Sequence, residues 1–195
     1  MLYEIRKKGI TWAILALNVM AYILCTIFGD VVYDIGSLSV LDVIKNQEYY
    51  RIVSCMFLHA GIDHILGNML FVVVLGDMLE QAIGHVRFVV IYLLTGIGGS
   101  ICSMLLELAT GQYYSTVGAS GAVCGIMGAL LVIVILNQGN YGHISLKRML
   151  LAIVYMIYTG LQAPMVNNAA HIGGLLSGVL IMAFFSFFRR KNKKK

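Results

Sequence analysis

Apolar residues along this chain gather in long, nearly uncharged stretches, with polar residues confined to the breaks between them. A helix that spans a bilayer needs about 20 mostly apolar residues. Six stretches approach that length, at about 10–28, 60–79, 86–108, 118–136, 147–163 and 169–188. No long polar linker interrupts them and no strong internal repeat is visible. The pattern predicts an all-α, polytopic membrane protein with six transmembrane helices. Residues 1–195 then form one membrane domain: a cytoplasmic N-terminus at 1–9, a helical core at 10–188 and a basic cytoplasmic tail at 189–195.

The loop at about 29–58 follows a different rhythm. Its segment Y-D-I-G-S-L-S-V-L-D-V-I alternates apolar and polar positions, and its Ile, Val and Leu residues need cover. Structure lying in the membrane interface is expected here rather than a plain tether.

Composition narrows the class further. Of the 195 residues 59% are hydrophobic and only 12% charged, and the mean hydropathy is +0.86. A soluble domain of this length would need far more polar surface. The 21 glycines suit close helix-on-helix packing in lipid. The first apolar segment follows I-R-K-K, as a signal peptide would, but no A-x-A-like cleavage site comes after it, so it reads as a membrane helix.

A net charge of +5 raises the possibility of nucleic acid, yet the distribution points to a membrane. The final seven residues, R-R-K-N-K-K-K, directly follow the apolar run A-F-F-S-F-F, with no aromatic residues interleaved. Basic runs in that position hold a helix end on the cytoplasmic side. Placing both termini inside puts Arg6, Lys7, Lys8, Arg87, Lys147, Arg148 and the tail on the cytoplasmic face, leaving only Lys45 and Arg51 outside. No nucleic-acid partner is expected. The expected location is a multi-pass position in a bacterial plasma membrane.

Polar and ionisable side chains at membrane depth are costly and mark function. Three clusters stand out: H-A-G-I-D-H-I-L-G-N with His59, His64 and Asn68; S-T-V-G-A-S-G-A-V-C-G with Ser120; and N-N-A-A-H-I-G-G-L-L-S-G with His171. In the orientation above, all three fall near the outer ends of their helices. His64 and Asn68 are four residues apart and share one helical face. Ala170, Gly174 and Gly178 form a small-residue stripe, and Gly121 and Gly125 begin another. Facing stripes would let the backbones approach closely and bring His171 to Ser120.

A serine hydroxyl becomes a useful nucleophile when a histidine takes its proton. The oxyanion formed in acyl transfer needs donors, and the first N–H groups of a helix starting at Ser120 have no intrahelical partner. Together with His64 and Asn68 they could form an oxyanion hole. Gly118 and Gly121 beside the serine would admit a substrate backbone. No Asp or Glu stands out as a third member, so a Ser-His dyad is expected; Asn167 and Asn168 are candidates for orienting the histidine. Taken alone, G-x-S-G is a weak signal; the agreement of three clusters in depth and spacing carries the inference.

At these residues the sequence resembles the rhomboid family of intramembrane serine proteases. Tyr50-Arg51 resembles the family's aromatic-Arg pair in the first external loop. F-L-H-A-G-I-D-H-I-L-G-N-M resembles the second-helix signature, with His64 and Asn68 at the oxyanion positions and His59 at the preceding histidine. G-A-S-G at 118–121 is similar to the nucleophile motif, and A-H-I-G-G at 170–174 to the last-helix motif. The resemblance extends over essentially the whole chain. It implies a six-helix rhomboid-like bundle in which Ser120 and His171 are catalytic. His64, Asn68 and Ser120 would form the oxyanion hole, with Gly118, Gly121, Gly174, His59 and Arg51 in support. It also implies a water-filled cavity open to the outer face, and cleavage of transmembrane protein substrates near their outer ends. No cofactor or metal ion is implied. Glu80 resembles the family acid that organises a cytoplasmic loop, the alternative being a solvated charge at a helix end. The family often carries an aromatic residue four positions after the nucleophile, where this chain has Cys124.

Two other classes compete. One is a protease-like protein without activity that escorts membrane segments; such relatives lack the Ser or the His. The other is a metal or proton transporter using His59, His64 and His171, against which no acid pairs with them deep in a helix, apart from Asp77 near the inner end. The four cysteines, Cys25, Cys55, Cys102 and Cys124, form no CxxC pair and read as small buried residues.

Overall fold

The computed structural model describes residues 9–163 and 166–192, without the side chains of 189–192. The expected cytoplasmic segment at 1–8 and the last three tail lysines lie outside the described residues. The described chain is almost wholly helical. Helix α1 spans Ile10–Phe28 and is followed by three short helices, α2 (Asp30–Gly36), α3 (Val40–Lys45) and α4 (Arg51–Ser54). Helices α5 (Ile62–Phe71) and α6 (Asp77–Ile83) are joined by a π-helical turn at Val72–Gly76 into one continuous rod. Helices α7 (His85–Thr110), α8 (Ser120–Leu136), α9 (Leu146–Gln162) and α10 (Asn168–Asn192) complete the bundle. A two-stranded hairpin, β1 (Asn140–Tyr141) with β2 (Ile144–Ser145), turns the chain between α8 and α9.

Four of these rods are long and apolar enough to cross a membrane: Ile10–Phe28, Ile62–Ile83, His85–Thr110 and Asn168–Phe188. Helices α8 and α9, at 17 residues each, fall slightly short of the usual span. The second rod, Ile62–Ile83, runs four residues beyond the expected end at 79, because Glu80 is buried within α6 rather than ending the helix. The loop at 29–58 is helical over much of its length. Its Leu38 is bridged to Thr116 by a pair of backbone hydrogen bonds of 2.9 and 3.0 Å.

Helix α8 is the centre of the bundle. Its residues from Gly121 to Leu130 are all buried, as expected for a helix that is apolar around its whole circumference. It packs most extensively against α10 and α7, and glycines set how close they come. A Cβ added to Gly174 or Gly178 of α10 would overlap the carbonyl oxygen of Gly121 or Gly125 of α8. A Cβ on Gly99 of α7 would lie 2.7 Å from the Ala170 carbonyl oxygen and 3.3 Å from the Gly121 Cα. Three backbones therefore meet at one level. With little hydrophobic drive between helices in lipid, this close van der Waals contact is what holds them. Helix α9 stands apart, burying only Met149, Ile153 and Gly160.

At the far end of the bundle Glu80 is buried, not solvated. Its carboxylate accepts from the backbone N–H groups of Ile10 (2.6 Å) and Thr11 (2.9 Å) and from Thr11 Oγ1 (2.6 Å), and it pairs with His85. It thus caps the start of α1, a favourable place for an anion.

Candidate functional site

Ser120 is the first residue of α8, with Ala119 as N-cap. The backbone ladder of the helix begins with Val123 N–H to the Ala119 carbonyl, 3.0 Å. The N–H groups of Ser120, Gly121 and Ala122 precede it and are free of intrahelical partners, as at any helix start. The preceding turn is pinned by Gly118, whose N–H donates to the Cys55 carbonyl at 2.9 Å. Gly118 adopts φ +128°, a conformation that only glycine takes at low cost. A Cβ placed there would lie 2.7 Å from His64 Nε2 and 3.8 Å from Ser120 Oγ. The same point is thus flanked by the imidazole edge and the hydroxyl.

His171 lies in the first turn of α10, immediately after Ala170. A Cβ on Gly121 would sit 3.5 Å from the Ala170 carbonyl oxygen. Gly121, next to Ser120, therefore lies one side-chain atom away from Ala170, next to His171, and its backbone touches Gly174 one turn further on. His171 Nδ1 is buried without a hydrogen-bond partner, and Ser120 Oγ makes no hydrogen bond to it in this state. Catalytic hydrogen bonds often close only when substrate is bound.

The second cluster has the expected shared face. Asn68 Nδ2 donates to the His64 carbonyl, one turn earlier, at 3.0 Å, which leaves its second N–H uncommitted. Behind them His59 is fully buried, its ring 5.1 Å from that of His64 in an edge-on arrangement. Its Nδ1 is 3.3 Å from the Phe57 carbonyl oxygen, and its own carbonyl accepts from Tyr33 Oη at 2.7 Å. His59 lies outside the spanning helices, where burial, assisted by the charge of His64, pushes its pKa down to about 4. It is a neutral wedge that backs His64 rather than a group facing the serine.

Arg51 is buried and organises the loop at 29–58. It donates to Glu48 Oε2 at 2.5 Å and to the Ser37 carbonyl at 3.0 Å. Tyr50 is half exposed, with the guanidinium 5.7 Å from its ring centroid. At the position of the missing aromatic residue, Cys124 Sγ touches Met156 Sδ of α9 at 3.1 Å.

One reading of the polar residues needs correction. Asn167 does not orient the imidazole. Its Oδ1 accepts from Ala170 N–H (3.0 Å), capping α10, and its Nδ2 donates to Ser103 Oγ (2.6 Å) and Thr116 Oγ1 (3.0 Å). Asn168 packs on Gly160 of α9 instead. A buried acid is nonetheless present: Glu107 is 3% exposed near the end of α7, and its hydrogen bonds go elsewhere than to His171. One carboxylate oxygen accepts from Ser103 Oγ (2.9 Å) and the other from Tyr114 N–H (3.1 Å). Glu107, Ser103, Asn167 and Thr116 form one network that ties the start of the His171 helix to the loop leading to Ser120. An acid inside the apolar run L-L-E-L-A-T was the available signal. Among the described residues no three His, Cys, Asp or Glu side chains converge as a metal site would require, and the four cysteines are free.

A bundle of apolar helices with a serine, two histidines and an asparagine gathered at one end defines a polytopic membrane protein with an embedded polar site. Residues 46–188 match the model of the Rhomboid domain, and the chain belongs to the rhomboid family. It is 36% identical over 169 residues to RHOMBOID-like protein 1 of Arabidopsis thaliana, covering 82% of this chain and 42% of that protein. It is 42% identical over 146 residues to RHOMBOID-like protein 6, mitochondrial, of the same plant, covering 74% and 46%. It is 30% identical over 182 residues to Rhomboid protease GluP of Bacillus subtilis (strain 168), covering 91% and 35%. The chain thus spans less than half the length of these relatives.

Proposed function

We propose that this chain is an intramembrane serine endopeptidase that cleaves transmembrane segments of other proteins near the outer membrane face. In this reading six helices span the bilayer as a single domain, with both termini cytoplasmic. Helices α8 and α9, about 26 Å long at 1.5 Å per residue, cross a hydrocarbon core of about 30 Å with their ends in the interface. The observation that carries the reading is the backbone contact between Gly121 and the segment Ala170–Gly174. It brings the serine and the histidine, far apart in sequence, to one level of the bundle.

The chemistry follows from the arrangement. His171 takes the proton of Ser120 as Oγ attacks the scissile carbonyl carbon. Negative charge then develops on the carbonyl oxygen, where the Ser120 N–H, His64 and the uncommitted Asn68 N–H would donate. His171 returns its proton to the departing amine, leaving an acyl group on Ser120. Water, deprotonated by the same imidazole, releases the second product and restores the hydroxyl. The residues need no cofactor, and the bilayer itself delivers the substrate. GluP is named a rhomboid protease, which supports the class of reaction.

The test is cleavage of a helical membrane substrate by the chain reconstituted in lipid. Ser120→Ala and His171→Ala are each expected to abolish cleavage while keeping the helical content and melting temperature of the parent. Cleavage persisting in either variant would remove that residue from the mechanism, and a parent that binds but never cuts would indicate a non-proteolytic escort.

A further inference from the structure

The glycine contacts that hold α7 to α10 run out partway along the bundle. Gly98 lies against Ser177 and Gly173 against Cys102, but towards the opposite end the facing residues become large. Val90 and Leu94 of α7 and Leu180 and Phe184 of α10 line a purely apolar groove of about 320 Å³. At Phe185 this groove adjoins a second cavity of about 410 Å³ at the bundle end away from Ser120. The second cavity is half polar in character. Arg87, Asn137, Tyr141 and Ser186 line it beside Met182 and Phe185.

The two spaces are chemically complementary, one offering polar groups and the other only apolar ones. Arg87 is exposed and, among the described residues, has no ion pair or side-chain hydrogen bond, and the Tyr141 hydroxyl is likewise uncommitted. The acids at this end do not line the cavity: Glu80 is bound to the start of α1 and to His85, and Asp77 accepts from Gln81 at 2.7 Å. Arg87 lies in the first turn of α7, where the helix dipole adds to its positive field. Helix α10 continues beyond Ser186 to Asn192 and carries Arg189, Arg190 and Lys191. A planar guanidinium beside neutral donors suits a phosphodiester. From Arg87 in the polar cavity to Leu94 in the groove is about 10 Å along α7 at 1.5 Å per residue. That is most of the depth of a single leaflet, roughly 15 Å.

We propose that this end of the bundle binds one anionic glycerophospholipid. Its phosphate sits at Arg87, Asn137 and Tyr141, and one acyl chain lies in the groove between α7 and α10. The occupant is a lipid rather than a free anion because Phe185, which lines the polar cavity, also lines the wholly apolar groove beside it. The site is separate from Ser120 and stands whether or not the chain is a protease.

Native mass spectrometry of the full chain, extracted from vesicles of phosphatidylcholine mixed equally with phosphatidylglycerol, tests this. The parent is expected to retain phosphatidylglycerol over phosphatidylcholine by about fivefold, the effect of one basic residue at a lipid headgroup. Arg87→Gln is expected to bring that ratio close to one without altering the melting temperature. Leu94→Trp, which fills the groove, is expected to reduce retention of both lipids. Excess inorganic phosphate is expected to leave the retained lipid in place. Equal retention of the two lipids by the parent, or unchanged preference in Arg87→Gln, overturns the proposal. So does displacement of the lipid by inorganic phosphate, which would make the cavity a free-anion site. If Leu94→Trp does not fold, the Arg87→Gln comparison decides alone.

Discussion

Gly174 rests on the carbonyl group of Gly121 so closely that a Cβ on Gly174 would lie 3.1 Å from the Gly121 Cα and would overlap its oxygen. Ser120 precedes one member of this pair, and His171 lies almost one helical turn before the other. The geometry of the site is therefore set by a contact between two residues without side chains.

Gly174→Val is expected to lower both stability and activity, because the obstructing group is backbone and cannot rotate away. Forcing extra methyl groups into packed space costs about 1–3 kcal/mol, and separation of α8 from α10 should add loss of cleavage beyond the loss of folded protein. Gly67→Ala is the matched control. Nothing lies within 4 Å of a Cβ there, and replacing a helical glycine is expected to stabilise by about 0.5–1 kcal/mol. Denaturation in mild detergent, paired with cleavage per folded molecule, measures both.

Gly118→Ala should damage activity more than stability. The φ of +128° strains any side chain, and the added methyl would press on His64 Nε2. Displacing one oxyanion donor typically costs about 10²–10³ in kcat. The expected result is a fall of about that size in kcat, with KM little changed. Asn68→Ala should be milder, since the backbone donors at Ser120 remain. Steady-state kinetics on a membrane substrate distinguishes the two.

Glu107→Ala is expected to destabilise the Ser120 end of the bundle. It leaves Ser103 Oγ and Tyr114 N–H without their acceptor, at about 1–3 kcal/mol for each group that stays buried. Local loosening of the start of α10 should appear as faster hydrogen exchange at residues 168–171, with the opposite end of α10 unchanged. Protection unaltered at those residues would show that the network does not hold the His171 helix.

How much of this was legible beforehand follows from the physics of each feature. The rods could be read because an apolar run in lipid has few alternatives to a helix. The pairing of the two small-residue stripes could be read because glycine at helical spacing has a use only where another backbone approaches. The π turn at Val72–Gly76 could not, since an extra residue in one turn leaves no mark on an all-apolar run. The extension of the second rod past 79 is hidden for another reason: Glu80 looks like a charged helix end until its carboxylate is seen bound to the start of α1. Glu107 is hard to place from sequence for a different reason. Its partners, Ser103 and the Tyr114 N–H, are ordinary residues that become acceptable company for a buried carboxylate only once the loop has folded back over α7. Asn167 carried a correct location and a wrong role: a helix-capping side chain and a histidine-orienting one look alike in sequence.

The most direct test of the account is labelling by a serine-directed fluorophosphonate in lipid, with the modified residue located by peptide mass spectrometry. Labelling of Ser120 that disappears in His171→Ala is the expected result, because the imidazole must take the proton as the Oγ–phosphorus bond forms. A label on some other residue, or Ser120 modified at the same rate without His171, would contradict the pairing of these two side chains.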